Sequence, residues 1–385
     1  MPENTPGSRE AALAAARQAL LKKRIQGAGP GTGAAAAIPR RPDRERAPLS
    51  FAQQRLWFVD QLGPGDPSYN VPAPLRVEGP LDVAALERAL AEMVRRQEAL
   101  RTVVATDASG HPVQRVLPPP ELRLPVEDLR GVPEAEREAE LRRRVEAEVR
   151  RPFDLAAGPL FRAALLRIGD ADHVLVMTVH HVVGDGFSTR LMAREVEALY
   201  GAFARGLPSP LPEPRVQYGD FAAWQRNRLQ GAAFEKQLAF WTEKLRGAPP
   251  LLELPADRPR PPVGGHRGGT ERLAVPTAVA DRLRALAREE GTTVFTILLA
   301  ALAAHLGLWA RQDDVVVGVP VDARARPELE ELVGIFLNTL PVRVPLEGDP
   351  SFREAVRRVR AATAAAFAHQ DVQFEKLVDE LGVER

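Results

Sequence analysis

His173-Val174-Leu175-Val176-Met177-Thr178-Val179 runs directly into His180-His181-Val182-Val183-Gly184-Asp185-Gly186. The first seven residues are short, apolar and rich in β-branched side chains, the composition of a buried strand. Beyond Gly186, Leu191, Met192, Val196 and Leu199 recur at helical spacing, which predicts a helix over 187–200. The two histidines therefore stand at a strand end, before a Gly-Asp-Gly turn and a helix. Side chains at strand ends reach into clefts, and an imidazole there can exchange protons near neutral pH.

Neighbouring residues of a strand point to opposite faces, which argues against a shared metal. No cysteine and no His-Glu-x-x-His pattern supplies further ligands. One ring is expected to face the cleft, while the other packs or hydrogen-bonds behind it. Asp185 fits three roles: a helix N-cap, a partner in a buried ion pair, or an acid. Its place beside a turn glycine favours the structural two.

The chain has 385 residues and a formal net charge of +1, a length that allows two domains or one large bilobed one. Hydrophobic residues make up 45% of it, enough for a core. The charge balance argues against nucleic acid as a partner. Arg142-Arg143-Arg144 and Arg150-Arg151 alternate with Glu140, Glu146 and Glu148, the pattern of a solvated helix face. Without cysteine there is no disulfide framework, thiol nucleophile or thiolate metal site. A cytoplasmic setting fits, since the first residues lack the apolar core of a secretory signal. Residues 293–310 are almost long enough to span a bilayer, but Thr296, His305 and the charged flanks favour a helix buried between layers rather than a membrane segment.

Along the chain, 8–25 is predicted as a helix that Ser8 can cap, with Leu13, Leu20 and Leu21 on one side. Residues 27–48, rich in Gly, Ala, Pro and Arg, read as a flexible linker, with the compact part starting near Leu49. Helices are predicted over 82–101, 133–151, 220–241, 278–290 and 293–310. Strands are predicted over 160–168 and 173–179, forming a hairpin around Gly169-Asp170, and over 271–275 and 315–319. Residues 206–215 and 249–269 are Pro- or Gly-rich connections. This mixed order indicates an α+β fold. A weak echo of strand plus long helix in each half suggests two similar subdomains.

These residues carry a pattern that resembles the condensation domains of nonribosomal peptide synthetases, within the chloramphenicol acetyltransferase-like acyltransferases. His-His-x-x-x-Asp-Gly stands complete at His180 to Gly186. Ser-x-Ala-Gln-x-Arg-Leu-Trp is matched by Ser50 to Trp57, and Tyr-x-Asp-Phe-Ala-x-Trp by Tyr218 to Trp224. Gly-x-Phe-x-Asn-Thr is matched by Gly334 to Thr339, and His-Gln-Asp-x-x-Phe-Glu by His369 to Glu375. The Arg-His-Glu-x-Leu-Arg-Thr motif appears at Arg96 to Thr102 with Gln97 in place of His. Phe187 replaces a frequent Trp, and Asp322-Ala323 stands where small residues are usual before Arg324.

The resemblance implies two acetyltransferase-like subdomains in a V-shaped arrangement. Residues 1–48 would be an N-terminal helix and linker, possible as a docking element, 49–215 the first subdomain and 216–385 the second. The second lobe is expected to be incomplete, because the family's last motif lies beyond Arg385. The implied reaction is amide bond formation between an acyl or peptidyl thioester on an upstream carrier domain and the amine of an aminoacyl thioester on a downstream one. The phosphopantetheine arms arrive on those carriers, so no cofactor or metal of the domain's own is expected. An adenylation domain belongs to the full synthetase.

The resemblance makes His181 the active-site residue, as general base or as an orienting hydrogen-bond partner. His180 and Asp185 belong to the same motif. Arg324 is the expected partner of Asp185, Ser188 and Asn338 supply support, and Asn338 lines the tunnel. Gly186 lets backbone approach the substrate and offers an N–H to developing negative charge. Arg55, Trp57, Tyr218 and Trp224 are read as core packing. The alternatives are a carrier- or partner-recruiting domain without catalysis and an acyltransferase using soluble acyl-CoA. The complete histidine motif counts against the first and the additional motifs against the second.

Overall fold

The computed structural model describes residues 37–259, 269–324 and 326–382. The chain divides into a unit of residues 1–39 and one of 40–385. The second contains every element described below, and the helix expected at 8–25 lies outside the described residues.

In chain order the first lobe runs β1 (Arg46–Pro48), α1 (Phe51–Leu62), β2 (Asn70–Glu78), α2 (Val83–Arg96), β3 (Thr102–Thr106), β4 (Pro112–Val116), β5 (Val126–Asp128), α3 (Glu134–Arg150), β6 (Phe161–Arg167), β7 (Asp172–His180), α4 (Gly186–Phe203) and α5 (Tyr218–Arg228). The second runs α6 (Gly231–Leu245), α7 (Thr277–Glu289), α8 (Val294–Ala310), β8 (Asp314–Asp322), β9 (Leu337–Pro345), α9 (Phe352–Ala368) and α10 (Phe374–Leu381).

The strand that delivers the histidines is central to a sheet of order β2-β7-β6-β5. It is antiparallel to both neighbours, with Leu175 opposite Leu75 and Leu165. Val174 and Val176 pack with Leu141 of α3 on one face. Strand alternation turns Leu175, Met177 and Val179 to the other, and all three are buried. Covered faces on both sides explain a run that is apolar at almost every position. Helices α2 and α4 pack on each other, and α4 lies against β2.

In the second lobe β8 and β9 pair antiparallel. Val319, Leu340, Val342 and Val344 form a core with Ile297 and Ala300 of α8, Val356 and Val359 of α9, and Trp241 of α6. Among the described residues this sheet has two strands.

Several expectations are corrected. The linker reading fails for residues 40–48: β1 pairs with β4, and Arg41 is buried, donating to Asp220 (2.8 Å) and Glu98 (2.7 Å). A composition typical of linkers is overridden there by two carboxylates waiting in the fold. The helix at 82–101 ends at Arg96 and gives way to a tight turn over Glu98–Arg101. The long helix at 220–241 is two helices, broken where Gly231 takes φ +70°, a conformation only glycine adopts cheaply. Helix α5 packs on β1, which joins it to the first lobe. No strand forms at 271–275. That stretch lies exposed, with Leu273 at 91%, and a strand needs a ladder to satisfy its backbone.

Among the described residues the apolar helix α8 is covered on one side. Ile297, Ala300 and Ala303 are buried, while Phe295, Leu298, Leu302 and Trp309 are exposed. Among the described residues no single helix is long and apolar enough to cross a membrane.

Candidate active site

β7 ends at His180, and the chain turns at once, the Val183 N–H donating to the His180 carbonyl (3.0 Å). His180 is buried, beside the rings of Tyr69 and Phe153. Its Nδ1 accepts the Val182 N–H (3.2 Å), so that nitrogen carries no proton. Burial, with the neighbouring His181 adding to it, lowers its pKa to about 4 and keeps the ring neutral.

His181 is the first residue past the strand and is half-buried. Its backbone N–H donates to the Tyr69 carbonyl (2.8 Å). Its Nδ1 lies 2.8 Å from the Gly184 carbonyl. A carbonyl can only accept, so Nδ1 bears a proton, and in the neutral ring the lone pair is on Nε2. The turn that follows the strand thus sets the tautomer of the ring it carries.

Asp185 is 1% exposed. It caps α4, accepting the N–H groups of Phe187 (3.1 Å) and Ser188 (2.8 Å) on Oδ1. Arg324 reaches it from the second lobe, Nη1 donating to Oδ2 (2.8 Å) and Nη2 to Oδ1 (3.1 Å). The Phe336 N–H completes the set on Oδ2 (3.0 Å). Burial pushes the carboxyl up, but Arg324 and the backbone donors outweigh it and hold the group below the usual carboxylate range. Of the three roles open to Asp185, the N-cap and the buried ion pair are both present.

The Arg324 side chain is 2% exposed. Its guanidinium lies against the rings of Phe187 (4.5 Å) and Phe336 (4.1 Å). Asp322, the other departure, accepts the Arg324 backbone N–H (2.9 Å). Ser188 Oγ contacts Asp185 Oδ1 (2.9 Å) and the Gly334 carbonyl (2.9 Å), and accepts the Gly334 N–H (3.1 Å).

Asn338 does not line a passage. It is buried, its Nδ2 donating to the Gln370 and Val372 carbonyls (2.8 Å each) and its Oδ1 accepting the Phe374 N–H (3.1 Å). Its work is to hold the 370–374 turn before α10. Tyr218, read as packing, also bridges: its Oη meets Ser50 Oγ and the Ile335 carbonyl, each at 2.7 Å. Gly334 is obligatory beneath it, because a Cβ there would lie 2.0 Å from the Tyr218 ring. Arg55 and Trp57 are not core. Arg55 pairs with Glu375 (3.1 Å), and with Phe58, Phe374 and Val378 both line a 720 Å³ cavity between α1 and α10. Among the described residues no three His, Asp or Glu side chains gather to hold a metal ion.

A histidine motif at a strand end, braced by an arginine from the second lobe, agrees with the family model described as Condensation domain, which matches residues 43–385. The chain belongs to the condensation domain family. One of the linear gramicidin synthase subunits of Brevibacillus parabrevis is 46% identical over 89% of the chain. Phosphinothricin tripeptide synthetase PhsC of Streptomyces viridochromogenes is 45% identical over 98%. The condensation domain described here spans 4% and 35% of those two proteins. Among solved structures, the X-domain of teicoplanin biosynthesis in complex with OxyB superposes with a TM-score of 0.82, at 30% identity, covering 92% of this chain and 77% of that one. The first condensation domain of the CDA synthetase gives 0.74 at 28% identity, covering 88% and 80%. These neighbours bear out the acetyltransferase-like α+β fold.

Residue-type reasoning gave no role to Arg41, and none to Ser50 or Phe336 beyond their places in the motifs. In the structure Ser50 caps α1 through the capping box it forms with Gln53. Nothing local marks Arg41 or Phe336 as interior partners.

Proposed function

We propose that this condensation domain forms an amide bond between two carrier-bound substrates. The amine of a downstream aminoacyl thioester attacks the carbonyl carbon of an upstream acyl or peptidyl thioester. The C–N bond forms, the C–S bond breaks, and the upstream phosphopantetheine leaves as its thiol. The nitrogen must lose a proton as it bonds. The observation that carries this reading is the tautomer of His181: Nδ1–H is committed to Gly184, so Nε2 is free to accept that proton or to orient the amine. Phosphopantetheine enters as part of each substrate, and the domain holds no cofactor of its own. The carriers and an adenylation domain are the expected neighbours in the full synthetase, working in the cytoplasm.

The test reconstitutes the chain with an acyl-loaded upstream carrier and an aminoacyl-loaded downstream carrier, read by intact-protein mass spectrometry. The downstream carrier should gain the acyl mass and the upstream one should return to its free thiol. Absence of transfer overturns the proposal. Equal transfer from soluble acyl-CoA would replace carrier-dependent condensation by a simpler acyltransferase.

Gly186 provides a second check. It is exposed at the head of α4, and a Cβ added there meets no atom within 4 Å. The fold therefore does not require glycine. Gly186→Ala should melt as the wild type does yet lower kcat by up to about 100-fold, because the methyl occupies space where the reacting centre must be placed. A variant that turns over like the wild type would remove Gly186 from the substrate's path.

A further inference from the structure

A buried polar cluster lies where α2 meets α4, outside the histidine turn. Gln97, just past the end of α2, is 1% exposed. Its Nε2 donates to Glu195 Oε1 of α4 (2.8 Å) and to the Glu331 carbonyl (3.0 Å). Its Oε1 accepts the Val333 N–H (3.0 Å). Two donors and one acceptor are all engaged, a set that Leu lacks, Glu inverts and a neutral His can match only in part. The charged groups facing it are Glu195 from α4, Arg96 from α2 and Glu331 from the connection between β8 and β9. Arg96 approaches Glu195 Oε1 at 3.4 Å, and Glu195 Oε2 has no hydrogen-bond partner among the described residues.

Residues 331–336 lie between β8 and β9 and are the same residues that brace the active-site turn. The Leu332 and Gly334 carbonyls accept from Arg324 Nη2 (3.3 and 3.2 Å). Gly334 is bound by Ser188, and the Phe336 N–H donates to Asp185. Gln97 grips this segment at one end, and Asp185 grips it at the other.

We infer that Gln97 is a positioning residue of the active site: it fixes segment 331–336 of the second lobe on the first and, through Asp185 and Arg324, sets the turn that carries His181. The inference rests on the condensation reading given above. Burial raises the pKa of Glu195, with Arg96 and Gln97 opposing it.

Two variants test this in the reconstituted system. Gln97→Leu should lower kcat by about 100-fold with KM for both loaded carriers unchanged, the signature of displaced reacting groups. In the same protein, amide exchange at Phe336, which Gln97 does not touch, should accelerate. Gln97→Glu places two buried carboxyls in contact, and one must hold a proton. That raises the folded pKa of the pair, so its favourable state is full at acid pH and is lost as pH rises through the raised value. The ratio of Gln97→Glu to wild-type kcat should therefore fall as pH rises. The inference is overturned if Gln97→Leu keeps wild-type kcat while only its melting point drops. A pH-independent ratio for Gln97→Glu, or unchanged Phe336 exchange in Gln97→Leu, would overturn it as well. An inactive wild type would count against condensation, and the exchange measurement would still decide the role of Gln97.

Discussion

His181→Ala is expected to abolish condensation while leaving the fold in place. The ring is half-buried and among the described residues makes one hydrogen bond, to the Gly184 carbonyl, so its loss costs about 1 kcal/mol of stability. In the proposed reaction its Nε2 accepts the proton or orients the amine, and removing such a group lowers a chemical step by roughly 10²–10⁴-fold. Single-turnover transfer between loaded carriers measures the step, and thermal melting checks the fold. Product formed at near wild-type rate would end the assignment of His181. His180 offers no substitute: buried, and neutral down to about pH 4, it faces Tyr69 and Phe153 behind the strand.

The second large effect falls on stability. Asp185→Ala leaves the Arg324 guanidinium, 2% exposed, without its carboxylate, and strips an acceptor from the N–H groups of Ser188 and Phe336. Breaking one side of a buried pair costs about 3–5 kcal/mol. The loss depends on pH in a determined direction. The folded carboxyl sits below its unfolded value of 3.8, so its stabilisation is complete above that value and disappears as pH falls through the folded pKa. The gap between wild type and variant in urea unfolding should be widest near neutral pH and narrow in acid. Arg324→Ala should cost a similar amount, and the double variant less than the sum, because the two act as one unit. A loss below about 1 kcal/mol for Asp185→Ala, the size of an exposed pair, would show that the lobes are not held together here.

Local periodicity made much of the first lobe legible. The strand over 173–179, the turn at Gly184-Asp185-Gly186 and the helix after it follow from alternation and helical spacing, and each agrees with β7 and α4 to within a few residues. The hairpin with β6 and the helices α3, α7 and α8 follow in the same way. The alternation expected for His180 and His181 stops at β7, which ends at His180, and the turn that follows places His181. The motif order from Ser50 to Glu375 was enough to point to the family, and the pairing of Asp185 with Arg324 came from that resemblance rather than from spacing.

Other features had no local signature. Arg41 looked like part of a linker and is a buried cation held by Glu98 and Asp220, the latter 179 residues away. Asn338 looked like a tunnel residue and is taken up by the turn before α10. Gln97 looked like a lapse from a motif and binds Val333, 236 residues along the chain. Strand and helix patterns are short-range, because backbone geometry repeats every two residues or every 3.6. The partner of a buried polar group is whatever the folded chain brings within about 3 Å of it, and a one-dimensional pattern does not carry that distance.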